Sequence, residues 1–276
     1  MDKELLIPTS FADDRVDGVD KVTGKATYAA EHQLANMVYA VFVCSTIAKG
    51  SIKNMILADA KRAAGVLDII YYANCPAVPG YNPYAKDPNK KGYEWRGLKV
   101  FNDNKVYSNG QPIAMVIADT MERAVHAASL VKAEYVKDES DTDFENAKAD
   151  EKKLKKPGEY KRGEADAYKK GEVSLEEEYT IPSETHNPME LHATIAAWDG
   201  DDKLTVYDKS QGPKGTQREL AQCFGLDEKN VRVVVEYVGG AFGSGLRSWP
   251  HVPAAVIAAK KVKRPVKLIV TREQMF

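Results

Sequence analysis

Residues 231–251 read VRVVVEYVGGAFGSGLRSWPH: a β-branched apolar run, a loop carrying Gly239, Gly240, Gly243 and Gly245 around a single phenylalanine, and the start of a second apolar run. A glycine loop between a strand and a helix is a place where α/β proteins hold phosphates and cofactors, because helix N-termini and close-lying backbone N–H groups favour anions. The spacing decides which kind. A Walker loop needs G-x-x-x-x-G-K-[ST]; Gly240 and Gly245 have the glycine spacing, but Leu246 and Arg247 stand where the lysine and hydroxyl belong. A dinucleotide fingerprint needs G-x-G-x-x-G, and no three of the four glycines fall in that order. Two readings remain open: a loop whose glycines bring a ligand against backbone N–H groups with Phe242 shaping the pocket, or a tight strand-to-helix turn with no ligand.

The sequence around the loop continues the alternation. Segments 173–181 (VSLEEEYTI), 189–199 (MELHATIAAWD) and 203–210 (KLTVYDKS) have strand patterns, 216–225 (TQRELAQCFG) reads as a short helix, and the loop leads into a helix over 252–262 and a last strand over 265–270. A parallel strand-loop-helix-strand unit needs neighbours on both faces of its sheet. Only TREQMF follows, so the expectation is that polypeptide beyond Phe276 completes the fold. Towards the N-terminus, 36–45, 65–73 and 110–119 read as strands and 56–66 as a short helix ending at Gly65. Thr120 caps a helix in which Ala124, Ala127, Ala128 and Val131 recur at helical spacing. Residues 81–97 read as a long loop. Between the halves, KDESDTDFENAKADEKKLKK (137–156) has 13 charged residues in 20 and only Phe144 and Leu154 as large apolar anchors, the composition of a solvated connector. The expected fold class is α+β, in two separately folding segments.

Composition excludes several functions. In 276 residues, 39 Lys and Arg balance 40 Asp and Glu, and a net charge of −1 offers no broad basic field for nucleic acid or an anionic membrane. No apolar run approaches the ~20 residues of a membrane span, and the first residues lack the basic and apolar regions of an export signal. Cys44, Cys75 and Cys223 are too few and too dispersed for a disulfide framework or an iron-sulfur clip, which fits a reducing, cytoplasmic compartment. No flavin-binding pattern is present. His186, Glu190 and His192 suggest zinc, but the spacing marks no fourth ligand. His32, His126 and His251 read as surface or packed residues, and the acidic run from Glu139 to Glu145 as a solvated face.

Five segments in order, RVDGVDKVTGKATYAAE (15–31), GQPIAMVIADTMERAVHAA (110–128), ETHNPMELHATIAAW (184–198), SQGPKGTQRELAQCFGL (210–226) and YVGGAFGSGLRS (237–248), resemble the molybdenum-binding subunit of the xanthine dehydrogenase and aldehyde oxidase family. The GGAFGSGLR form of the loop, where GGGFGGK is commoner, is more similar to bacterial aldehyde-type subunits. The resemblance implies an α/β-hammerhead domain over 15–137, a charged linker over 138–156, and the N-terminal part of a molybdopterin-binding domain over 157–276. It implies a molybdopterin-type molybdenum cofactor in dinucleotide form, and hydroxylation of an aldehyde or N-heterocycle with water as the oxygen source.

By the same resemblance, Gln211 donates to a molybdenum oxygen and residues Gly240, Ala241, Phe242 and Gly243 approach the metal's oxygen, the phenyl ring of Phe242 walling the substrate channel. Arg247 serves a phosphate or carboxylate in the same cavity. No side chain coordinates the metal directly. The family's catalytic glutamate and most pterin contacts are expected beyond Phe276, so the isolated chain is expected to be inactive. Its partners would be the C-terminal half of the subunit, iron-sulfur and FAD subunits or domains, and an aldehyde or purine substrate. The alternative is a non-catalytic binding or assembly module that keeps the fold.

Overall fold

The computed structural model describes residues 15–81, 99–143, 160–164 and 166–276. Among these residues, ten strands form two sheets. The larger has seven strands in the order β3-β5-β1-β10-β7-β8-β9, and the smaller three in the order β4-β2-β6. Their bounds are β1 Val38–Cys44, β2 Gly50–Ile56, β3 Val66–Tyr71, β4 Lys105–Val106, β5 Pro112–Ala118, β6 Lys132–Lys137, β7 Ala193–Asp199, β8 Lys203–Asp208, β9 Val231–Val234 and β10 Val266–Ile269. Five helices accompany them: α1 Gly18–Thr23, α2 Ala58–Arg62, α3 Met121–Leu130, α4 Pro213–Phe224 and α5 His251–Val262.

The apolar run of β5 explains its central place. Ile113 through Ala118 are all buried, so this strand is covered on both faces and pairs antiparallel with β1 on one side and β3 on the other. Helix α3 lies over this region; Thr120 Oγ1 accepts from the Arg123 N–H at 3.3 Å, and Ala124 and Ala127 are fully buried, small residues that let the helix approach closely. Helix α5 is buried on every side from His251 through Ala259, its two lysines falling in the last turn, and the Trp198 indole N–H reaches its Val256 carbonyl at 3.0 Å.

The strand order runs one sheet through both segments that composition sets apart. β1, from the N-terminal segment, pairs parallel with β10, from the C-terminal one, through Val38↔Val266, Tyr39↔Lys267 and Ala40↔Leu268. Residues up to Asp138 and His186–Phe276 form one compact unit, and Glu139–Thr185 forms another. Apart from each other, β1 and β10 would each leave an apolar edge with unpaired backbone groups; pairing them removes both edges.

The strand expected over 173–181 is not formed. Val173, Leu175, Tyr179 and Ile181 are exposed, and among the described residues the period-two pattern has no neighbouring strand to pair with. β2 and β6, absent from the sequence reading, pair antiparallel from Gly50↔Lys137 to Ile56↔Lys132; their lysines and glutamate point outward and dilute the apolar alternation. Expectations for 82–97 and 144–156 lie outside the described residues.

Candidate functional site

β8 ends at Asp208 and the chain runs through buried Lys209 and Ser210 to exposed Gln211, then enters α4 with Pro213 in its first turn, where a missing N–H is no loss. Beside it the chain leaves β9 at Val234 and makes no further regular structure until α5. These two segments are sewn together. The Gln211 N–H donates to the Gly245 carbonyl at 2.8 Å, and the Gln211 side-chain Oε1 accepts from the N–H groups of Gly243 and Gly245, each at 3.2 Å. Two donors on the carbonyl oxygen settle which way the amide faces, because the reverse orientation would set NH₂ against N–H. The Gln211 NH₂ therefore faces away from the loop, with no acceptor among the described residues.

The loop's own bonds are equally selective. Gly239 N–H donates to Glu190 Oε2 at 2.6 Å; Ser244 N–H and Oγ–H donate to the Ala241 carbonyl at 3.0 and 2.7 Å; Leu246 N–H donates to the Gly243 carbonyl at 3.1 Å; and the Trp249 indole N–H donates to the Ser244 carbonyl at 2.7 Å. The N–H groups of Gly240, Ala241 and Phe242 are left without acceptors among the described residues. In a trans peptide the N–H lies opposite the preceding carbonyl. Ala241 O is held by Ser244, so Phe242 N–H is aimed the other way.

Three successive free amides, with Gly240 at φ 97, Phe242 at φ 54 and Gly243 at φ 103, make a concavity of the kind that holds anionic oxygen. Phe242 is 73% exposed and takes a left-handed conformation that an aromatic residue adopts only under constraint. Gly240 and Gly243 are required by the backbone alone, whatever binds. What points to a ligand is instead the set of free donors and the strained, outward phenyl ring.

The structure brings Gln211, Gly240, Ala241, Phe242 and Gly243 together. Arg247 is an exposed residue further along the same loop. The exposed His186 ring borders Gly243: a β-carbon added there would lie 3.4 Å from its Nε2.

Glu190 and His192 precede β7 rather than lying within it, and among the described residues no three His, Cys, Asp or Glu side chains stand together as a metal site. Glu190 is bonded to Gly239, and His192 is buried between Trp249 at 4.5 Å and His251 at 5.4 Å between ring centroids.

The sequence reading missed the polar group beneath the loop. Thr194 Oγ1 donates to Asp208 Oδ1 at 2.6 Å, and His251 Nε2 lies 3.8 Å from the same oxygen. Burial pushes the Asp208 carboxyl up to about 7 and the His192 imidazole down to about 3, and holds His251 well below its ordinary value. His251 and Asp208 sit at the ends of apolar runs; the only signal was that each would be dragged into the core with its element.

The fold is α+β, and its loop offers neutral donors where, among the described residues, no three His, Cys, Asp or Glu side chains gather. That donor set fits an anionic, oxygen-bearing group such as a metal-oxo centre held by its own organic ligand.

Residues 23–139 match the family described as aldehyde oxidase and xanthine dehydrogenase, a/b hammerhead domain, and residues 145–276 the molybdopterin cofactor-binding domain. The chain belongs to the aldehyde oxidase and xanthine dehydrogenase family, with a hammerhead domain followed by molybdopterin cofactor-binding sequence. It is 35% identical over 267 residues to the aldehyde oxidoreductase molybdenum-binding subunit PaoC of Escherichia coli (strain K12), covering 94% of this chain and 34% of that protein. It is 32% identical to aldehyde oxidase 4 of Arabidopsis thaliana, covering 92% of this chain and 19% of that protein. The chain thus spans about a third of the bacterial relative's length.

In fold it is similar to the CO dehydrogenase of Oligotropha carboxidovorans, with a TM-score of 0.75 and 22% identity over 95% of this chain and 35% of that one. The aldehyde oxidoreductase of Desulfovibrio gigas gives 0.74 and 24% over 95% and 30%.

Proposed function

We propose that this chain is part of the molybdenum-cofactor subunit of an oxidoreductase that hydroxylates aldehydes or N-heterocycles, with Gln211 and residues 240–243 holding the cofactor's anionic face. The observation that carries the reading is the run of three acceptor-free amides beside an outward-facing Gln211 NH₂. When bound, a molybdopterin-type cofactor in its dinucleotide form supplies a redox-active metal that accepts the substrate's electrons, the oxygen coming from water.

This chain's own contribution is electrostatic. The amides of Gly240, Ala241 and Phe242 and the Gln211 NH₂ donate to negative oxygen without bringing in charge, and they are fixed in place before it arrives, so no reorganisation opposes them. The exposed Phe242 ring offers an apolar face on which a flat substrate can lie. Arg247 supplies a cation for a phosphate or carboxylate at the loop's far end. The general base, the remaining pterin contacts, and the iron-sulfur and flavin centres that carry electrons onward come from polypeptide outside this sequence. The assembled protein works in the cytoplasm.

The test is expression in a host that makes the cofactor, once alone and once with a polypeptide supplying the other two-thirds of the relative's length, with molybdenum measured by elemental analysis and aldehyde and purine oxidation assayed. The isolated chain should hold no molybdenum and show no turnover. In the assembled protein Gln211→Ala should lower kcat per bound molybdenum by about 10²- to 10³-fold, the effect of removing one preorganised donor. Undiminished turnover in that variant would refute the assignment.

A further inference from the structure

We infer that Glu190 is a positioning residue that aims the free amides of the donor loop by gripping Gly239 on both sides, an inference that rests on the reading of that loop as the cofactor's seat. Glu190 Oε2 accepts the Gly239 N–H at 2.6 Å while the Glu190 N–H donates to the Gly239 carbonyl at 3.1 Å. The first bond fixes the peptide plane before Gly239 and the second the plane after it. Because a trans peptide sets N–H and C=O in opposite directions, a Gly239 carbonyl tied to Glu190 turns the Gly240 N–H away from Glu190 and leaves it free. Glu190 thus does for the first free amide what Ser244, through the Ala241 carbonyl, does for the last.

The contact is close enough to dictate sequence. Gly239 does not have a positive φ, so its conformation does not require glycine. A β-carbon there would lie 2.9 Å from Glu190 Cβ, so the grip itself does. A second feature ties this grip to the other support of the loop. Among the described residues, Glu190 Oε1 and Lys209 Nζ are both buried and without hydrogen-bond partners, and the two groups attract each other electrostatically. Lys209 lies two residues before Gln211, which braces the loop's C-terminal half. Glu190 also feels Glu31 as a like charge. A carboxylate bonded to the Gly239 N–H with an attractive lysine nearby is the setting of an acceptor held in one orientation.

The test compares Glu190→Ala with Glu190→Gln, which keeps an acceptor oxygen without the charge. In this chain, amide hydrogen exchange read by NMR should show Gly239 protected in the native protein and in Glu190→Gln but exchanging at least tenfold faster in Glu190→Ala, with the β5 amides unchanged. In the assembled, cofactor-loaded protein Glu190→Ala should lower kcat per molybdenum by about 10²-fold with KM little changed, the effect of misplacing a donor by about an ångström. Glu190→Gln should recover most of that loss. A folded Glu190→Ala protein that loses Gly239 protection yet turns over normally would overturn the inference. So would a Glu190→Gln protein with Gly239 protected and turnover lost, since charge would then be the need. If Glu190→Ala does not fold, Glu190→Gln alone carries the test on the same two readouts. An assembled native protein that holds no molybdenum would instead refute the cofactor reading, while the exchange comparison would still judge the grip.

Discussion

Replacing His192 with phenylalanine tests whether the ring stack under the loop is a buried, uncharged element. His192 is 1% exposed, its Nε2 has no partner among the described residues, and its folded-state imidazole is pushed down from 6.5 to about 3, mainly by burial and secondarily by the positive charge of Lys209. The sign follows from proton binding. Below pH 6.5 the unfolded chain takes up a proton on this ring and the folded protein does not, so stability is full above 6.5 and is lost as pH falls. Between pH 7.5 and pH 5 the loss from this group is about 2 kcal/mol, from about 1.4 kcal/mol for each unit between the unfolded titration and the working pH. The variant has no such group. At neutral pH, relief of an orphaned polar atom and the bulk of the larger ring oppose each other at about 1–3 kcal/mol each, so the difference at one pH decides nothing.

The change in that difference with pH is the diagnostic quantity. Urea unfolding of both proteins at pH 7.5, 6.5, 5.5 and 5 should show the variant gaining about 2 kcal/mol on the wild type, close to 1 M in midpoint for a urea slope of about 2 kcal/mol per M. The titrations of Asp208 and His251 are present in both proteins and largely cancel in the comparison. Parallel stability curves would refute the claim that His192 is folded in its neutral form.

Gly243→Ala should destabilise the chain by about 1–3 kcal/mol in thermal melts, because its φ of 103 strains any L side chain. Gly245→Ala, without a positive φ, should melt nearly as the wild type, yet its β-carbon would lie 3.2 Å from Gln211 N and 3.3 Å from Gln211 Cγ, so turnover of the assembled protein should fall. Equal melting losses for the two would contradict the backbone assignment. Brief trypsin treatment should cut after exposed Lys169 or Lys170 before it cuts after Lys209 or Lys267, both buried in the main unit, with the fragments identified by mass. Early cleavage at Lys267 would show that the shared sheet is not the stable core.

Much of the architecture could be read along the chain. The runs that became β1, β3, β5, β7, β8 and β10 are apolar or alternating enough to identify themselves, Thr120 announced α3, and the glycine spacing excluded two phosphate cradles before any coordinates. β2 and β6 escaped because an edge sheet with one solvated face carries lysines where a pattern expects apolar residues. Segment 173–181 misled for the opposite reason, since alternation supplies a face but not a neighbour to cover it.

The local sequence by itself determined most of the elements, because periodicity, capping and glycine placement act over a few residues and are written in consecutive order. The resemblance of five ordered segments, rather than local spacing, marked Gln211 and residues 240–243 as candidates. What only the tertiary structure decided was pairing: that β1 joins β10 across more than two hundred residues, that Gln211 Oε1 meets two amides of a distant loop and so turns its NH₂ outward, and that Glu190 grips Gly239. Those contacts depend on which surfaces become complementary once the core closes, and no short-range pattern encodes a hydrogen bond between residues that are neighbours only in space.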